Sequence, residues 1–395
     1  MPKSYIKNLL NILNSDEAQN FLNNHQNSEI NKLYLKYSSD AEKKVIIDQI
    51  YVRQKIRKKL REWFNNSRLI FPKHLSHEQS SSEETARLKS SLIKGNHILD
   101  ITGGMGVDLY YFSKVFKSCT YIERQKELSE ICRYNFSELG ASNIEVINGD
   151  GLSYVSKINS DYINIDPARR DLSNSKLVSL ADCEPNVLKI KDDLIANGRR
   201  ALIKTSPMLD IHSAISDLEY VSEVWLISLK NETKELLFLL KEGENKIKLR
   251  TFNILANKEL EVFDFYWNEK GKIRTATKAG KYLYEPNSSM QKAKGGDIFA
   301  EKHDLQKLDS NTNLYFSDQI IDKFPGKIFE VIKILKPYDK GLKNSRFNII
   351  SRNFPDKADL IQKKLRIKPA ENDYLIACRS SFNNLIFIQA RLIKV

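Results

Sequence analysis

Apolar residues recur every three to four positions along the first 70 residues. Ile6, Leu9, Leu10 and Leu13 share one helical face, and Val45, Ile46, Gln49, Ile50, Val52 and Arg53 share another. The spacing predicts a helical region that runs into a very basic stretch at 55–61. That stretch reads either as a solvated helix face or as a surface for a phosphate backbone. Ser80 or Ser81, followed three residues later by Glu83 or Glu84, marks a capping box and a new helix. From residue 97 the rhythm changes. Short apolar runs at 97–101, 119–122, 144–147, 162–165, 201–204, 224–228 and 235–240 alternate with helical patterns ending near 117 and at 126–139, 176–196 and 209–218. Such alternation predicts a parallel sheet with helices on both faces. The last two runs are joined by a short polar connection, too short for a parallel crossover, so the closing strand is antiparallel. Residues 243–275 read as a polar connector. Beyond them, strands at 328–332, 347–350, 374–377 and 385–388 and a helix near 357–365 make one or two small α+β units.

The chain has 395 residues, enough for two or three domains at about 150 residues each. Apolar residues make up 41% and charged residues 29%, which excludes a wholly disordered chain. No apolar run approaches the ~18–20 residues of a membrane span. The first residues lack the apolar segment of a secretory signal. The four cysteines form no CxxC pair and the six histidines no spaced set. That argues against a disulfide framework and against a metal module, and makes a reducing cytoplasm the expected compartment. The net charge of +13 is unevenly spread: +7 over residues 1–95, −3 over 96–275 and +9 over 276–395. Basic ends around a neutral middle suit a polyanionic substrate, with nucleic acid the first candidate. A chain rich in Lys, Asn and Ile through base composition alone would look similar.

Acidic residues punctuate the carboxyl ends of the expected strands: Asp100, Glu123, Asp150 and Asp166. In doubly wound sheets ligands bind at that edge. The first turn contains Asp100, Thr102, Gly103, Gly104, Gly106 and Asp108, with glycines that allow close backbone approach to a ligand. Glu123 follows Gly106 by 17 residues, where a carboxylate can take both ribose hydroxyls. A dinucleotide site wants G-x-G-x-x-G and a pyrophosphate on a helix N-terminus. Here the pattern is G-G-x-G with Asp100 and Asp108 on either side, and negative charge repels a pyrophosphate. A cationic ligand without phosphate, S-adenosylmethionine, fits these charges better than NAD.

The motifs Asp100-x-Thr-Gly-Gly-x-Gly-x-Asp108, Tyr121-Ile-Glu123-Arg124, Asn148-Gly-Asp150-Gly151 and Asp166-Pro167-Ala-Arg resemble motifs I to IV of class I S-adenosylmethionine-dependent methyltransferases. More narrowly, the chain is similar to bacterial methyltransferases with a C-terminal THUMP-like domain. The stretches that carry this are Ser81-Ser-Glu-Glu-Thr-Ala86, Asp166-Pro-Ala-Arg-Arg-Asp171, Leu283-Tyr-Glu-Pro-Asn287 and Phe324-Pro-Gly326. The resemblance implies an α/β fold: a Rossmann-like seven-stranded methyltransferase domain, strand order 3-2-1-4-5-7-6, at 80–275. An N-terminal helical region at 1–79 would precede it. A ferredoxin-like segment at 276–321 and a THUMP-like domain at 322–395 would form a C-terminal α+β region. It also implies that Asp100, Thr102, Gly103, Gly104, Gly106 and Asp108, with Thr85 covering them, hold the methionine end of the cofactor. Glu123 would bind ribose, Arg124 would lie beside the adenine, and Asp150 with Gly151 would meet the adenine amino group. Asp166 and Pro167 stand where related nucleic-acid enzymes accept hydrogen bonds from an exocyclic amine, and Arg169, Arg170 and Lys204 would contact base or phosphate.

The chain departs from the nucleic-acid pattern at 168 and 169, which are Ala and Arg, so the second proline and the stacking aromatic are missing. A flipped base stacks on an aromatic or apolar face, and an arginine plane, Tyr111, Trp63 or Phe71 are the candidates. Asp-Pro-x-Arg also occurs in RNA uracil C5-methyltransferases, whose chemistry needs a cysteine nucleophile that has no counterpart here. Plainer readings stand beside these. Asp166 before Pro167 could cap a helix, the arginines could pair with surface acids, and Lys204 could simply end a strand. The THUMP resemblance implies tRNA or rRNA as partner, with no metal and no membrane. A small-molecule methyltransferase, or a non-catalytic RNA-binding protein with a vestigial pocket, are the alternatives.

Overall fold

The computed structural model describes residues 5–72, 80–169 and 179–394. Two compact units emerge: Met1–Val221 with Leu237–Glu244, and Ser222–Leu236 with Asn245–Val395.

The first unit begins with five helices, α1 (Tyr5–Leu13), α2 (Asp16–His25), α3 (Ile30–Lys36), α4 (Ala41–Ile56) and α5 (Arg61–Asn65). Asp40 caps α4 by accepting from the Lys43 amide at 2.9 Å. The α4 face with Ile46, Ile47 and Ile50 packs on Leu9, Leu13, Leu22 and Leu33. Two polar residues on that helix are buried for a reason that periodicity does not reveal. Gln49 makes a reciprocal pair with the Phe71 backbone, donating to its carbonyl at 2.8 Å and accepting from its amide at 2.9 Å. Arg53 donates to the carbonyls of Phe64, Asn66, Ser67 and Leu69 at 2.6–3.2 Å. The Phe64 carbonyl lies near the end of α5 and the other three in irregular chain after it, and all need donors once buried. The basic stretch at 55–61 spans the end of α4, a turn and the start of α5, with Lys55, Arg57, Lys58 and Arg61 exposed.

The next elements are α6 (Glu83–Leu92), β1 (Gly95–Asp100), α7 (Val107–Phe112), β2 (Phe116–Glu123), α8 (Lys126–Glu138), β3 (Ile144–Asn148) and β4 (Tyr162–Ile165). After them come α9 (Lys191–Ile195), β5 (Arg200–Thr205), α10 (Ile211–Leu218), β6 (Val221–Leu229), β7 (Glu232–Leu240), β8 (Lys248–Ile254) and β9 (Leu260–Tyr266). The sheet order is β9-β8-β6-β7-β5-β4-β1-β2-β3, so the expected 3-2-1-4-5-7-6 order is present with two strands added beside β6. Pairs β1–β2, β1–β4, β2–β3 and β4–β5 are parallel.

Three local expectations are corrected. The cap of α6 is Ser82, which accepts from the Thr85 amide at 3.1 Å, while the Glu83 carboxylate accepts from the Glu62 amide at 2.9 Å. The helix expected at 176–196 is broken into two single turns, Leu180–Asp182 and Val187–Lys189, and the short α9. Pro185, which has no amide hydrogen to donate, sits in its middle; the helix's first residues, through 178, lie outside the described residues. The polar connector at 243–275 is instead the antiparallel pair β8–β9. Its polarity is internal pairing. Asn253 donates to Glu261 at 2.9 Å and Thr251 to the Phe263 carbonyl at 2.9 Å, while Arg250 and Lys248 pair with Asp264 at 3.3 and 2.9 Å.

The rest of the second unit is an eight-stranded sheet. Its strands are β10 (Arg274–Thr275), β11 (Tyr282–Pro286), β12 (Gln306–Asp309), β13 (Thr312–Ser317), β14 (Gly326–Leu335), β15 (Asn348–Arg352), β16 (Asp373–Ser380) and β17 (Asn384–Lys394). The order is β10-β12-β13-β11-β14-β17-β16-β15, with helices α11 (Ser288–Lys292), α12 (Gly296–Lys302) and α13 (Ala358–Leu365). The motifs at 283–287 and 324–326 meet here. The Asn287 amide donates to the Pro325 carbonyl at 3.0 Å, and the Gly326 amide to Glu261 at 3.0 Å. Gly326 has φ 149°, and a Cβ there would lie 2.2 Å from the Glu285 carbonyl oxygen.

Arg53→Met should lower the stability of the first unit by about 3 kcal/mol, because it strips several buried carbonyls of their donor at once. Urea unfolding followed by tryptophan fluorescence would measure the loss; a change below about 1 kcal/mol would show that those carbonyls find water instead.

Candidate active site

Parallel pairing places the carboxyl ends of β1, β2, β3, β4 and β5 along one edge, so residues ending different strands become neighbours. Asp100 closes β1 and is 3% exposed. Its Oδ1 accepts from the Thr102 amide at 3.0 Å and its Oδ2 from the Asn164 side-chain amide at 3.0 Å. Burial pushes the carboxyl up to about 7, against the lowering effect of those two hydrogen bonds, and nearby Asp108 and Asp166 add to the rise. The Thr102 hydroxyl in turn accepts from the Asp166 amide at 2.7 Å. Thr102 therefore joins the end of β1 to the residue that follows β4.

The glycine turn is shaped by the protein's own packing. A Cβ on Gly103 would lie 2.4 Å from the Tyr121 ring, one on Gly106 (φ +70°) 2.4 Å from Phe136, and one on Gly151 2.2 Å from the Ile101 carbonyl oxygen. Gly104 differs: at φ +54° its Cβ direction meets only the Thr102 carbonyl oxygen, at 3.7 Å. Its amide donates to Glu123 Oε2 at 3.0 Å and its carbonyl accepts from the buried Tyr121 hydroxyl at 2.5 Å. Gly104 is thus held from behind and open in front. Glu123 Oε1 accepts from the Gln125 amide at 2.8 Å, and a carboxylate with two such bonds keeps further lone pairs for a ligand. Asp150 is exposed and caps a single turn by accepting from the Leu152 amide at 3.3 Å. Arg124 is exposed and lies 3.8 Å from Glu184. Thr85 is buried, its hydroxyl donating to the Ser82 carbonyl at 3.1 Å.

Asp108 sits elsewhere in the charge pattern than its sequence position suggests. Lys89 Nζ lies 2.8 Å from both of its oxygens, Ser81 Oγ donates to Oδ2 at 2.8 Å, and Lys204 Nζ stands 3.9 Å from Oδ2. Desolvation would raise the Asp108 carboxyl, but Lys89 and Lys204 outweigh it and hold it below the usual range. Lys204 also contacts Asp166 Oδ2 at 2.5 Å and Ser81 Oγ at 3.1 Å. Desolvation raises the Asp166 carboxyl despite that partner. The charge argument from sequence therefore narrows. Asp108 is offset by two lysines, and the negative surface offered to a cation comes from Asp100, Glu123 and Asp150.

The structure brings together Asp100, Thr102, Gly103, Gly104, Gly106, Asp108, Glu123, Asp166 and Lys204 at this edge. Pro167 is half-buried beside Asp166; the Arg169 backbone pairs with Cys183 in a two-residue ladder. Arg170 and Asp171 lie outside the described residues. The three aromatics considered as base-stacking partners are not available. Trp63, Phe71 and Tyr111 are buried in the core, and the Tyr111 hydroxyl donates to Glu62 at 2.9 Å. Sequence reasoning missed Lys89, the bridging role of Ser81, Asn164 and Tyr121. Asn164 had a signal, since it stands two residues before Asp166 in an otherwise apolar strand. Lys89 had none, because its partner lies on a different helix.

Residues 63–170 match the family model described as protein-L-isoaspartate(D-aspartate) O-methyltransferase, residues 282–325 that of a ferredoxin-like domain, and residues 326–391 that of a THUMP-like domain. A protein-L-isoaspartate O-methyltransferase of Rhodopseudomonas palustris (strain BisB5) is 31% identical over 130 residues, which are 32% of this chain and 58% of that protein. The chain thus spans just over half the length of that curated relative. The crystal structure of a candidate methyltransferase from Porphyromonas gingivalis W83 superposes with a TM-score of 0.86 at 26% identity, covering 98% of this chain and 99% of that one. Among the described residues no helix is long and apolar enough to cross a membrane, and no group of three or more His, Cys, Asp or Glu could hold a metal. The sheet order, the glycine turn and these matches agree on a class I methyltransferase-like fold followed by a ferredoxin-like and a THUMP-like domain.

Proposed function

We propose that the chain transfers a methyl group from S-adenosylmethionine to a base of structured RNA, tRNA or rRNA, at an exocyclic amine. The observation that carries this reading is the Thr102 junction, which ties the buried Asp100 carboxylate to the backbone of Asp166. One residue thereby couples a cation-binding acid to a hydrogen-bond acceptor on the neighbouring strand. The residues fit the cofactor. Asp100, which burial keeps near the point of ionisation, is stabilised as an anion by an incoming ammonium group. Gly104 offers the unobstructed backbone against which the methionine end lies, with Gly103, Gly106, Gly151 and Thr85 shaping the turn behind it. Glu123 takes the ribose hydroxyls, Arg124 flanks the adenine and Asp150 accepts from its amino group.

When bound, S-adenosylmethionine supplies an electrophilic methyl carbon on a sulfonium, open to in-line attack. Asp166 Oδ1, the oxygen opposite Lys204, and the backbone carbonyl of Pro167 accept the two hydrogens of an amine. That aims the nitrogen lone pair at the methyl carbon, and the same carboxylate takes the proton lost on methylation. Positioning and electrostatics supply the acceleration. The THUMP-like match and the net +9 over residues 276–395 support RNA as the polyanion. All four cysteines are buried and none forms a disulfide, which suits a reducing cytoplasm. A second reading is favoured by one observation, the Lys204 ammonium beside Asp166, an acid within the 63–170 segment that matches isoaspartate methyltransferases. Such a cation suits an anionic acceptor, and the product would be a methyl ester.

Four outcomes are expected. With tritiated cofactor, label should pass to total tRNA or rRNA, survive mild alkali and appear as one methylated nucleoside that a deletion strain lacks; alkali-labile label on protein would favour the ester. Asp100→Ala should weaken S-adenosylhomocysteine binding at least about 100-fold in calorimetry. Asp166→Ala should leave that binding within about threefold and lower turnover by about 100-fold or more; normal turnover would refute the acceptor role. Because the ligand ammonium needs ionised Asp100, affinity should rise about tenfold per unit as pH climbs toward 7 and level off above it. Asp100→Asn should flatten the slope.

A further inference from the structure

Lys89 is 1% exposed, on α6, and no step proposed above uses it. Burying an ammonium costs several kcal/mol unless it is paired. Its partner is Asp108 on α7, which stands 3.9 Å from Lys204 on β5, which in turn contacts Asp166 after β4 at 2.5 Å. Ser81 crosses the chain of charges. Its hydroxyl accepts from Lys89 at 2.8 Å and from Lys204 at 3.1 Å and donates to Asp108 at 2.8 Å. Four elements thus deliver alternating charges in one line toward the mouth of the site. Apolar residues of like volume generally stabilise a fold as well as a buried ion network does, so stability alone gives no reason for this one. Left to itself, Lys204 would be shared between two carboxylates. With Lys89 neutralising Asp108, Lys204 is released toward Asp166.

We propose that Lys89 and Asp108 act through Lys204 as positioning residues that hold the Asp166 carboxylate in place for the methyl acceptor. The proposal rests on the acceptor role given to Asp166 above. Among the described residues, the groups facing Asp166 are Lys204, Asp108 and Lys89, with Asp100 on β1 beyond them. Lys89→Met should leave Asp108 to draw Lys204 away, so Asp166 loses its cation without being touched.

The test is a double-mutant cycle read on Asp166 itself, in the full chain and without substrate. Carbon-13 NMR of aspartate-labelled protein, assigned with Asp166→Asn, follows the titration of the carboxyl. Lys204→Met should raise its midpoint by about one unit or more and Lys204→Arg should restore it. Lys89→Met should raise it as well, and by clearly less in the Lys204→Met background, where only the direct effect of Lys89 on Asp166 remains. An equal increment with and without Lys204, or no increment at all, overturns the proposal. Binding of S-adenosylhomocysteine checks that each variant is folded. Should Lys89→Met fail to fold, the pair Lys89→Met with Asp108→Leu removes both charges together. Their direct effects on Asp166 oppose each other, so any shift must again shrink without Lys204. A wild-type chain that methylates no RNA yet shows this cycle would refute the proposed function and leave the positioning intact.

Discussion

A carboxylate shielded from water, at the end of the central strand β1, sets the terms for everything around it. Asp100 survives there because Thr102, in the turn that follows it, and Asn164, which parallel pairing of β4 with β1 forces to its side, both donate to it. Shift the register of β4 by one residue and Asn164 would point to the other face of the sheet. The buried acid would lose a donor and Asp166 its tie to Thr102. The geometry of the site is therefore a consequence of strand register, and the register is fixed by apolar residues such as Leu99, Ile163 and Ile165, which have no chemistry of their own.

The same physics recurs away from that edge. Arg53 gathers the carbonyls of an irregular stretch, Glu62 collects the Tyr110 and Tyr111 hydroxyls with Arg87 and Lys114, and Glu261 binds Asn253, Asn287 and Gly326. Arg53 and Glu261 are interior side chains that satisfy groups regular hydrogen bonding leaves unpaired, while the half-buried Glu62 gathers side chains of α6, of α7 and of the turn after α7. These residues join parts of the chain distant in sequence, so they specify the fold as firmly as the aliphatic core does.

This division explains what could be read from the sequence. Alternating apolar runs gave away the strands from β1 to β7, since a buried parallel strand writes its own hydrophobic signature. The acids at strand ends were equally visible, because Asp100, Glu123, Asp150 and Asp166 each interrupt such a run at the same place. The β8–β9 hairpin was hidden, because Thr251, Asn253 and Glu261 are polar residues facing inward, Asn253 paired with Glu261 and Thr251 with the Phe263 carbonyl. Lys89 looked like any helix-surface lysine, and only the placement of α7 against α6 buries it. Trp63, Phe71 and Tyr111 had the right chemistry for stacking a base but serve the core. Partners that meet only in three dimensions leave no local mark, and these were the residues missed.

The meeting of β11 and β14 carries a consequence for biogenesis. The ferredoxin-like and THUMP-like segments divide between residues 325 and 326, yet β14, which opens the second, pairs with β11 of the first on one side and with β17 near the chain's end on the other. The seam between them is one of ancestry and not of autonomy. A nascent chain carries β14 with one flank bare until residues 384–394 leave the ribosome, so pairing on that side waits on a segment about 50 residues further along. The two matched segments thus complete one sheet between them.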